Sequence, residues 1–128
     1  MKLKTIIVSF MTAIMMAACG GSSVDQTDPV AVAQAAAEGM LKGQYSKVAK
    51  LVAPSDTYLL RQFEEMPDRK TPKEITTLTY IKTFDRFAGG GLTENSIGAL
   101  VVFEMEDGHR LSVELDKIDG KWYYDGLN

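Results

Sequence analysis

Cysteine and histidine are the scarcest chemistry-bearing residues in this sequence, with one of each among 128 residues. A single cysteine cannot form a disulfide bond within the chain. One cysteine and one histidine also fall short of the three or four ligands that a zinc site usually takes from such residues. We therefore expect no intrachain disulfide and no metal site, and we predict no cofactor.

Positive charge is also in short supply. Fourteen lysines and arginines face seventeen acidic residues, and the formal net charge is −3. A protein that binds nucleic acid presents a basic face to the phosphates, and anionic lipid likewise attracts basic segments. The acidic balance argues against both kinds of electrostatic partner, so we expect no nucleic-acid binding.

Long apolar runs are scarce too, and the one that is present lies at the start of the chain. Lys2 and Lys4 precede an uncharged, largely apolar run over residues 5–16, and two alanines separate that run from Cys19. This order of basic, apolar and small residues is typical of a secretory signal. The run is shorter than the roughly 20 residues that a membrane-spanning helix needs. We therefore expect residues 1–18 to be a cleaved signal peptide.

The stretch Met16-Ala17-Ala18-Cys19 resembles the lipobox of bacterial lipoproteins, although Met16 stands where that family most often has leucine. The resemblance implies that the signal is cut before Cys19 and that this residue carries acyl chains such as palmitate. Two or more chains anchor a protein stably to a membrane. Gly20, in place of an aspartate, implies the outer membrane, with the protein facing the periplasm. The alternatives are a secreted protein with an unmodified thiol, or cleavage elsewhere.

The rest of the chain predicts one small domain on a short tether. Residues 19–28 comprise the lipidated cysteine and a small, polar, flexible stretch, and residues 29–128 form the domain. Removal of residues 1–18 takes away Lys2 and Lys4 and no acid, so the net charge falls from −3 to −5. The 110 remaining residues of the 128 suit a single core.

Residues 29–66 have the pattern of three helices. Asp28 and Pro29 mark the start of the first helix, whose alanine-rich run ends at Gly43. We expect a second helix over residues 44–52 and a third over residues 57–66. Helical spacing of the apolar residues predicts these buried positions: Val30, Ala33, Ala37, Met40 and Leu41 in the first helix, and Tyr45, Val48, Leu51 and Val52 in the second.

The second half of the chain has the pattern of strands. We predict four strands, over residues 74–84, 96–106, 111–116 and 121–124. Gly89-Gly90-Gly91 ends the first strand, and Asp107-Gly108 and Asp119-Gly120 are tight hairpin signals. Helices followed by an antiparallel meander define an α+β fold, in which we expect the long first helix to cross one face of the sheet.

The order of these motifs resembles the nuclear-transport-factor-2-like family. A proline-started helix leads into Lys42-Gly43-Gln44-Tyr45, and Asp119-Gly120-Lys121-Trp122 opens the last strand. Within that family, residues 29–126 are most similar to small bacterial lipoproteins of unknown function grouped near lumazine-binding proteins. The resemblance implies a cystatin-like cone, with three N-terminal helices packed on a curved antiparallel four-stranded meander. It implies no catalytic residues. Relatives of this fold often dimerise through the sheet, so a homodimer is one of the oligomeric states that the resemblance allows.

Two functions fit these observations. The first is a non-catalytic envelope module that binds a protein partner or a small ligand, and we favour it. The second is an isomerase- or hydratase-like enzyme that uses an apolar pocket to shift the pKa of an acid or base. Its candidate groups are Asp85 and Tyr80, with His109 and Tyr58 as weaker ones. The alternative interpretation is structural. In it, Asp85 and Arg86 lie at a solvated strand end, His109 lies at a hairpin tip, and the two tyrosines are packing residues.

Overall fold

The computed structural model describes residues 24–75 and 77–128, so the expected signal peptide and Cys19 lie outside the described residues. Three helices precede four strands: α1 (Pro29–Lys42), α2 (Tyr45–Ala49), α3 (Thr57–Glu65), β1 (Thr79–Asp85), β2 (Gly98–Glu104), β3 (Arg110–Ile118) and β4 (Lys121–Leu127). The strands form one antiparallel sheet in the order β1-β2-β3-β4. The predicted α+β class is confirmed, and the cone shape stays a prediction.

Helix α1 begins and ends where its capping residues predict. The Asp28 carboxylate accepts a hydrogen bond from the Val30 N–H at 3.0 Å, and Pro29 is the first helical residue. Gly43 ends the helix with a φ of 79°, a left-handed conformation that is strained for a residue with a side chain. Helix α1 therefore has both of the terminal signals that were read from the sequence.

The buried face of α1 agrees only in part with the predicted one. Ala33 and Ala37 are fully buried as predicted, and so are Val32 and Ala36, whereas Val30, Met40 and Leu41 are only partly buried. Helix α1 packs across β2, β3 and β4. Small side chains let a helix approach a sheet closely, so the contact is centred on the alanines and the larger residues lie along its flanks.

Helix α2 is shorter than the predicted helix over residues 44–52. It ends at Ala49 because the following residues turn to meet β4: the Tyr124 N–H donates to the Leu51 carbonyl at 2.7 Å, and Val52 forms a parallel bridge with Tyr124. Helix α3 follows a cap in which Asp56 accepts from the Leu59 N–H at 3.2 Å. Its buried Phe63 packs edge-on against Tyr124, with ring centroids 5.8 Å apart.

The two faces of the sheet differ in what covers them. Side chains of one face join the core with the helices: Ala99, Val101, Phe103, Leu111, Val113, Leu115, Trp122 and Tyr124. This outcome confirms the predicted alternation in the second and third strands. The outer face, turned away from α1, carries Lys82, Phe84, Leu100, Val102, Glu114, Asp116 and Asp125. The first strand is shorter than predicted, since β1 begins at Thr79 rather than residue 74.

Both predicted hairpins are present. Asp119 and Gly120, which join β3 to β4, have φ values of 52° and 79°. Two successive positive φ angles are what a two-residue turn between antiparallel strands requires, and Asp-Gly meets this requirement at low cost. Asp107-Gly108 turns the chain between β2 and β3 at the opposite end of the sheet.

Residues 24–28, which we expected to belong to the flexible tether, are attached to the domain through Gln26 and Val24. The Trp122 N–H donates to the Gln26 carbonyl at 2.7 Å, and the Gln26 side-chain Nε2 donates to the Trp122 carbonyl at 3.2 Å. Val24 packs against the core. The folded domain therefore begins at about Val24, and only residues 20–23 separate it from Cys19.

Candidate functional site

Asp85, the main catalytic candidate from the sequence, closes the turn that follows β1. Its carboxylate accepts hydrogen bonds from the Phe87 and Ala88 N–H groups, each at 2.9 Å, and from the Ser96 hydroxyl at 2.7 Å. The Ala88 N–H, followed by the Ser96 hydroxyl and the Phe87 N–H, lowers the pKa of Asp85. These donors favour the ionised carboxylate, which is the opposite of the raised pKa that a buried general base would have.

Tyr80 lies far from Asp85 along the same strand. Five residues of strand separate them, which corresponds to about 17 Å. The Tyr80 side chain is 47% exposed, its hydroxyl is 2.8 Å from the Thr83 hydroxyl, and its ring packs edge-on against Phe103 at 6.2 Å. The structure therefore does not bring the two candidate groups together.

His109 and Tyr58 lie at exposed positions. His109 follows the turn between β2 and β3, and its Nδ1 is 2.8 Å from the Asp107 carboxylate. That hydrogen bond, together with the charge of Asp107, raises the pKa of His109. Tyr58 is 76% exposed on α3, and its hydroxyl accepts from the Gln62 amide at 3.3 Å. Both arrangements are typical of surface residues.

Side chains fill the layer between α1 and the sheet. Ala33, Ala36 and Ala37 from the helix are fully buried there, as are Val101 and Phe103 from the sheet. Two grooves lie outside this layer, one of about 440 Å³ between α1 and residues 74, 75, 77 and 78, and one of about 650 Å³ between α2 and α3. Asp85 and Tyr80 line neither groove.

The groove between α2 and α3 has an apolar floor and a polar rim. Ala49, Leu60, Phe63 and Met66 form the apolar part. On the rim, Asp68 accepts hydrogen bonds from the backbone N–H and the hydroxyl of Ser46. The Ser46 hydroxyl, followed by its N–H, lowers the pKa of Asp68, so the rim carries a fixed negative charge.

The most connected charged cluster on the outer face is centred on Arg86. Its guanidinium lies 3.1 Å from Glu114, 3.0 Å from Asp116 and 2.9 Å from Asp125. The Arg86 side chain is 23% exposed. One positive charge and three negative charges leave this cluster, which we call the Arg86 network, with an excess of two negative charges.

Two glycines make room for the Arg86 network. A Cβ atom on Gly98 would lie 3.2 Å from the Arg86 Cβ and 2.5 Å from a ring atom of Phe87. A Cβ atom on Gly126 would lie 3.1 Å from the Glu114 carboxylate oxygen. Because residue 98 lacks a side chain, Arg86 can cross β2 and reach the acids on β3 and β4.

Burial and repulsion set the protonation behaviour of the network. Burial, followed by the charge of Asp125, raises the pKa of Asp116, while Arg86 opposes this rise. Burial would lower the pKa of Arg86, but the hydrogen bond that Arg86 donates to Asp125 and the charges of Glu114 and Asp116 hold it above its ordinary value. Arg86 therefore remains charged and stabilises three carboxylates that would otherwise repel one another.

We did not predict the Arg86 network from the sequence, because Arg86 was paired there with its neighbour Asp85. Two signals could have indicated it. Strand alternation places Glu114 and Asp116 on the same face, opposite the buried Leu111, Val113 and Leu115. A glycine inside a strand, here Gly98, often marks a position where another chain segment lies close.

Metal and membrane sites have little support within the described part of the chain. Over residues 24–75 and 77–128, the cysteine, histidine and acidic side chains form no group of three that could hold a metal ion. None of the described helices is long and apolar enough to cross a bilayer. Cys19, the expected lipidation site, lies outside the described residues.

No family model, curated protein or solved structure matches this chain. The resemblance to nuclear-transport-factor-2-like lipoproteins therefore stays a prediction.

Proposed function

We propose that this protein is a lipid-anchored component of the bacterial cell envelope, held by Cys19 at the outer membrane on its periplasmic side. Its domain acts there as a non-catalytic module that binds another envelope protein through the outer face. The anchor rests on the Met16-Ala17-Ala18-Cys19 stretch behind a basic and apolar leader. The resemblance to nuclear-transport-factor-2-like lipoproteins supports the same location.

The outer face carries the binding proposal because it combines an apolar strip with a fixed charge pattern. Phe84 and Leu100 are only partly buried, and Val102 is 6% exposed although it lies outside the main core. The Arg86 network borders this strip on β3 and β4. An apolar centre with charged groups at its margin is the usual anatomy of a protein interface. The excess negative charge suits a partner with basic residues at the rim.

The contacts of the catalytic candidates favour binding over catalysis. Asp85 is held as a carboxylate by three donors, and Tyr80 lies about 17 Å along the strand from it. An isomerase or hydratase would need its acid or base in an apolar cavity, with the pKa shifted toward neutrality. The surroundings of Asp85 shift its pKa in the other direction.

Photo-crosslinking in cells tests the binding surface. A photoreactive amino acid replaces Lys82, which is exposed on the outer face, and in the control it replaces Gln62, which is exposed on α3. We expect a crosslinked adduct from position 82 and none from position 62. An adduct of twice the chain mass identifies a second copy as the partner. Equal crosslinking at both positions, or none at position 82, contradicts the proposal.

Cys19→Ser tests the anchor separately. We expect the precursor of this variant to remain uncut by the lipoprotein signal peptidase and to carry no acyl chain in mass spectrometry. Ser22→Ala, which leaves the stretch around Cys19 intact, should be processed like the wild type. A Cys19→Ser protein that is still cut and still bound to the membrane contradicts the anchor.

Native mass spectrometry of the gently purified protein tests the alternative of a small ligand. A bare protein mass agrees with protein binding. A co-purifying small molecule would turn attention to the two grooves and count against the outer face as the principal site.

A further inference from the structure

Exposed apolar side chains are concentrated at one end of the sheet. Phe87, Ile97 and Ile118 are 64%, 65% and 38% exposed, and they account for three of the six large apolar side chains described as exposed. Phe87 lies against Gly98 at the start of β2, and the Lys117 N–H donates to the Ile97 carbonyl at 2.9 Å. Ile118 is the last residue of β3. We call this surface the apolar end.

The chain enters the domain at the same end. The two hydrogen bonds between Gln26 and Trp122 fix residue 26 beside the start of β4. Trp122 is paired with Lys117, the neighbour of Ile118. Val24 comes two residues before Gln26 in the chain, so the described part of the chain begins close to the apolar end.

The number of residues between Cys19 and Val24 limits how far this end can stand from a membrane. Four residues, and so five Cα-to-Cα steps, separate Cys19 from Val24 and span at most about 18 Å when fully extended. Strand β3 alone, from Arg110 to Ile118, rises about 27 Å. The hairpin that carries His109 lies at the far end of β3, so the anchor holds the two ends of the sheet at different distances from the bilayer.

We propose that the apolar end rests on the lipid bilayer, with Phe87, Ile97 and Ile118 at the level of the headgroups and the upper acyl chains. The proposal rests on the acylation of Cys19 proposed above. Exposed apolar patches mark interaction sites, and here the anchor supplies the surface that meets the patch. The far hairpin then points into the periplasm, and the outer face stands upright and accessible to a protein partner.

Charge at the apolar end specifies the kind of lipid. Lys117 and Lys121 lie close to the last hairpin, as do Asp119 and, on the entering chain, Asp25. The Arg86 network beside Gly98 adds an excess of negative charge, so this end gains nothing from anionic lipid. The contact is therefore apolar, and vesicles of phosphatidylcholine should suffice for it.

Fluorescence quenching in vesicles tests the orientation. The full lipidated protein, purified from membranes, carries a fluorescent amino acid at Ile97 or, as the control, at His109, and it is reconstituted into phosphatidylcholine vesicles with or without spin-labelled lipid. Both positions are exposed, so circular dichroism should match that of the wild type. We expect spin-labelled lipid to cause a loss of fluorescence at position 97 and none at position 109.

Each outcome of this experiment decides between the proposals. Quenching that is equal at the two positions, stronger at position 109, or absent from both in vesicle-bound protein overturns the orientation and leaves the anchor intact. Protein that does not float with the vesicles and lacks an acyl mass overturns the anchor itself, and the orientation falls with it. A label at Ile118 should behave as the label at Ile97 does, and the opposite result overturns the proposal.

Discussion

The Arg86 side chain crosses the sheet over Gly98, where it occupies space that a side chain at position 98 would fill. A Cβ atom at position 98 would lie 3.2 Å from the Arg86 Cβ, closer than most packed atoms. The backbone supports the same approach, because the Arg86 N–H donates to the Gly98 carbonyl at 3.1 Å. The position of one glycine therefore determines whether an arginine at the end of β1 can reach acids on β3 and β4.

Gly98→Ala should destabilise the fold. The added methyl group must displace the Phe87 ring and press on the Cβ of Arg86, and overpacking of this kind costs about 1–3 kcal/mol. Urea denaturation followed by the fluorescence of Trp122, the single tryptophan, measures the free energy of unfolding. Gly91→Ala is the matched control, since a Cβ atom there meets nothing within 4 Å. Equal stability of the two variants would contradict the crowding at position 98.

Arg86→Met should destabilise the protein most at neutral pH. Three carboxylates lose their common cation, and for a partly buried arginine we expect a loss of about 1–3 kcal/mol at pH 7. The pKa of Asp116 is already raised by burial and by Asp125, and it rises further without Arg86. An acid whose pKa is raised by folding stabilises the fold as it is protonated.

The difference in unfolding free energy between the wild type and Arg86→Met should therefore shrink as the pH falls from 7 toward 4. Urea denaturation at several pH values measures this trend. Arg61→Met, at an exposed position on α3, should show neither the loss nor the trend. A difference that stays constant with pH would mean that Arg86 contributes packing and no charge.

The carboxyl group of Asp85 should titrate below its ordinary pKa of 3.8, because the Ala88 N–H, the Ser96 hydroxyl and the Phe87 N–H stabilise its charge. An NMR titration of the side-chain carboxyl carbon measures this value. An acid whose pKa is lowered by folding stabilises the fold at neutral pH, and that contribution is lost as the pH falls through the lowered pKa. Asp85→Ala should therefore be less stable than the wild type at pH 7, and the difference should shrink as the pH falls below 3.8 toward the lowered pKa of Asp85.

A pKa of Asp85 at or above 3.8 would contradict this prediction, and a value above about 6 would revive the enzyme hypothesis. Asp107→Ala provides a comparison, because the pKa of Asp107 is also lowered, first by the hydrogen bond from His109. The loss of that exposed contact should not affect the turn after β1. Amide chemical shifts of Phe87 and Ala88 should move in Asp85→Ala and stay in place in Asp107→Ala.

Gln26→Ala should loosen the entry of the chain into the domain. The variant loses the side-chain hydrogen bond to the Trp122 carbonyl and keeps the backbone bond, so we expect a loss of about 0.5–1.5 kcal/mol. Hydrogen exchange of the Trp122 amide should become faster. Gln34→Ala removes only a surface contact of 3.4 Å with Glu38 and should leave this exchange unchanged. Unchanged protection in Gln26→Ala would show that the backbone hydrogen bond and the packing of Val24 hold the segment without the glutamine side chain.

Local chemistry made the fold predictable from the sequence wherever a few adjacent residues determine the backbone. Asp28, Pro29 and Gly43 bound α1 correctly, and Asp119-Gly120 gave a hairpin with the positive φ angles that such a turn needs. Residues 50–52 were harder, because their turn toward β4 depends on contacts of Leu51 and Val52 with Tyr124, more than 70 positions away in the chain. The length of α2 is therefore a tertiary effect.

The candidate site was less predictable for the same reason. Asp85 and Arg86 are neighbours in sequence, so a local pair was the natural expectation. In the structure Asp85 binds backbone N–H groups of its own turn and the Ser96 hydroxyl, while Arg86 reaches acids 28 to 39 positions away. Strand alternation and Gly98 indicate which face carries the acids and where there is space. Only the register of the four strands shows that Arg86 reaches those acids.

The two edges of the sheet are not equivalent, and this difference limits how copies of the chain could assemble. The edge of β4 is occupied at Trp122 and Tyr124 by backbone carbonyls of Gln26 and Leu51. Growth of a fibre by strand addition needs two complementary edges, one on each side of every subunit. Because Gln26 and Leu51 occupy the β4 edge at these two positions, a strand of a second copy cannot pair there. A pair formed by β1 against β1 would close at two chains.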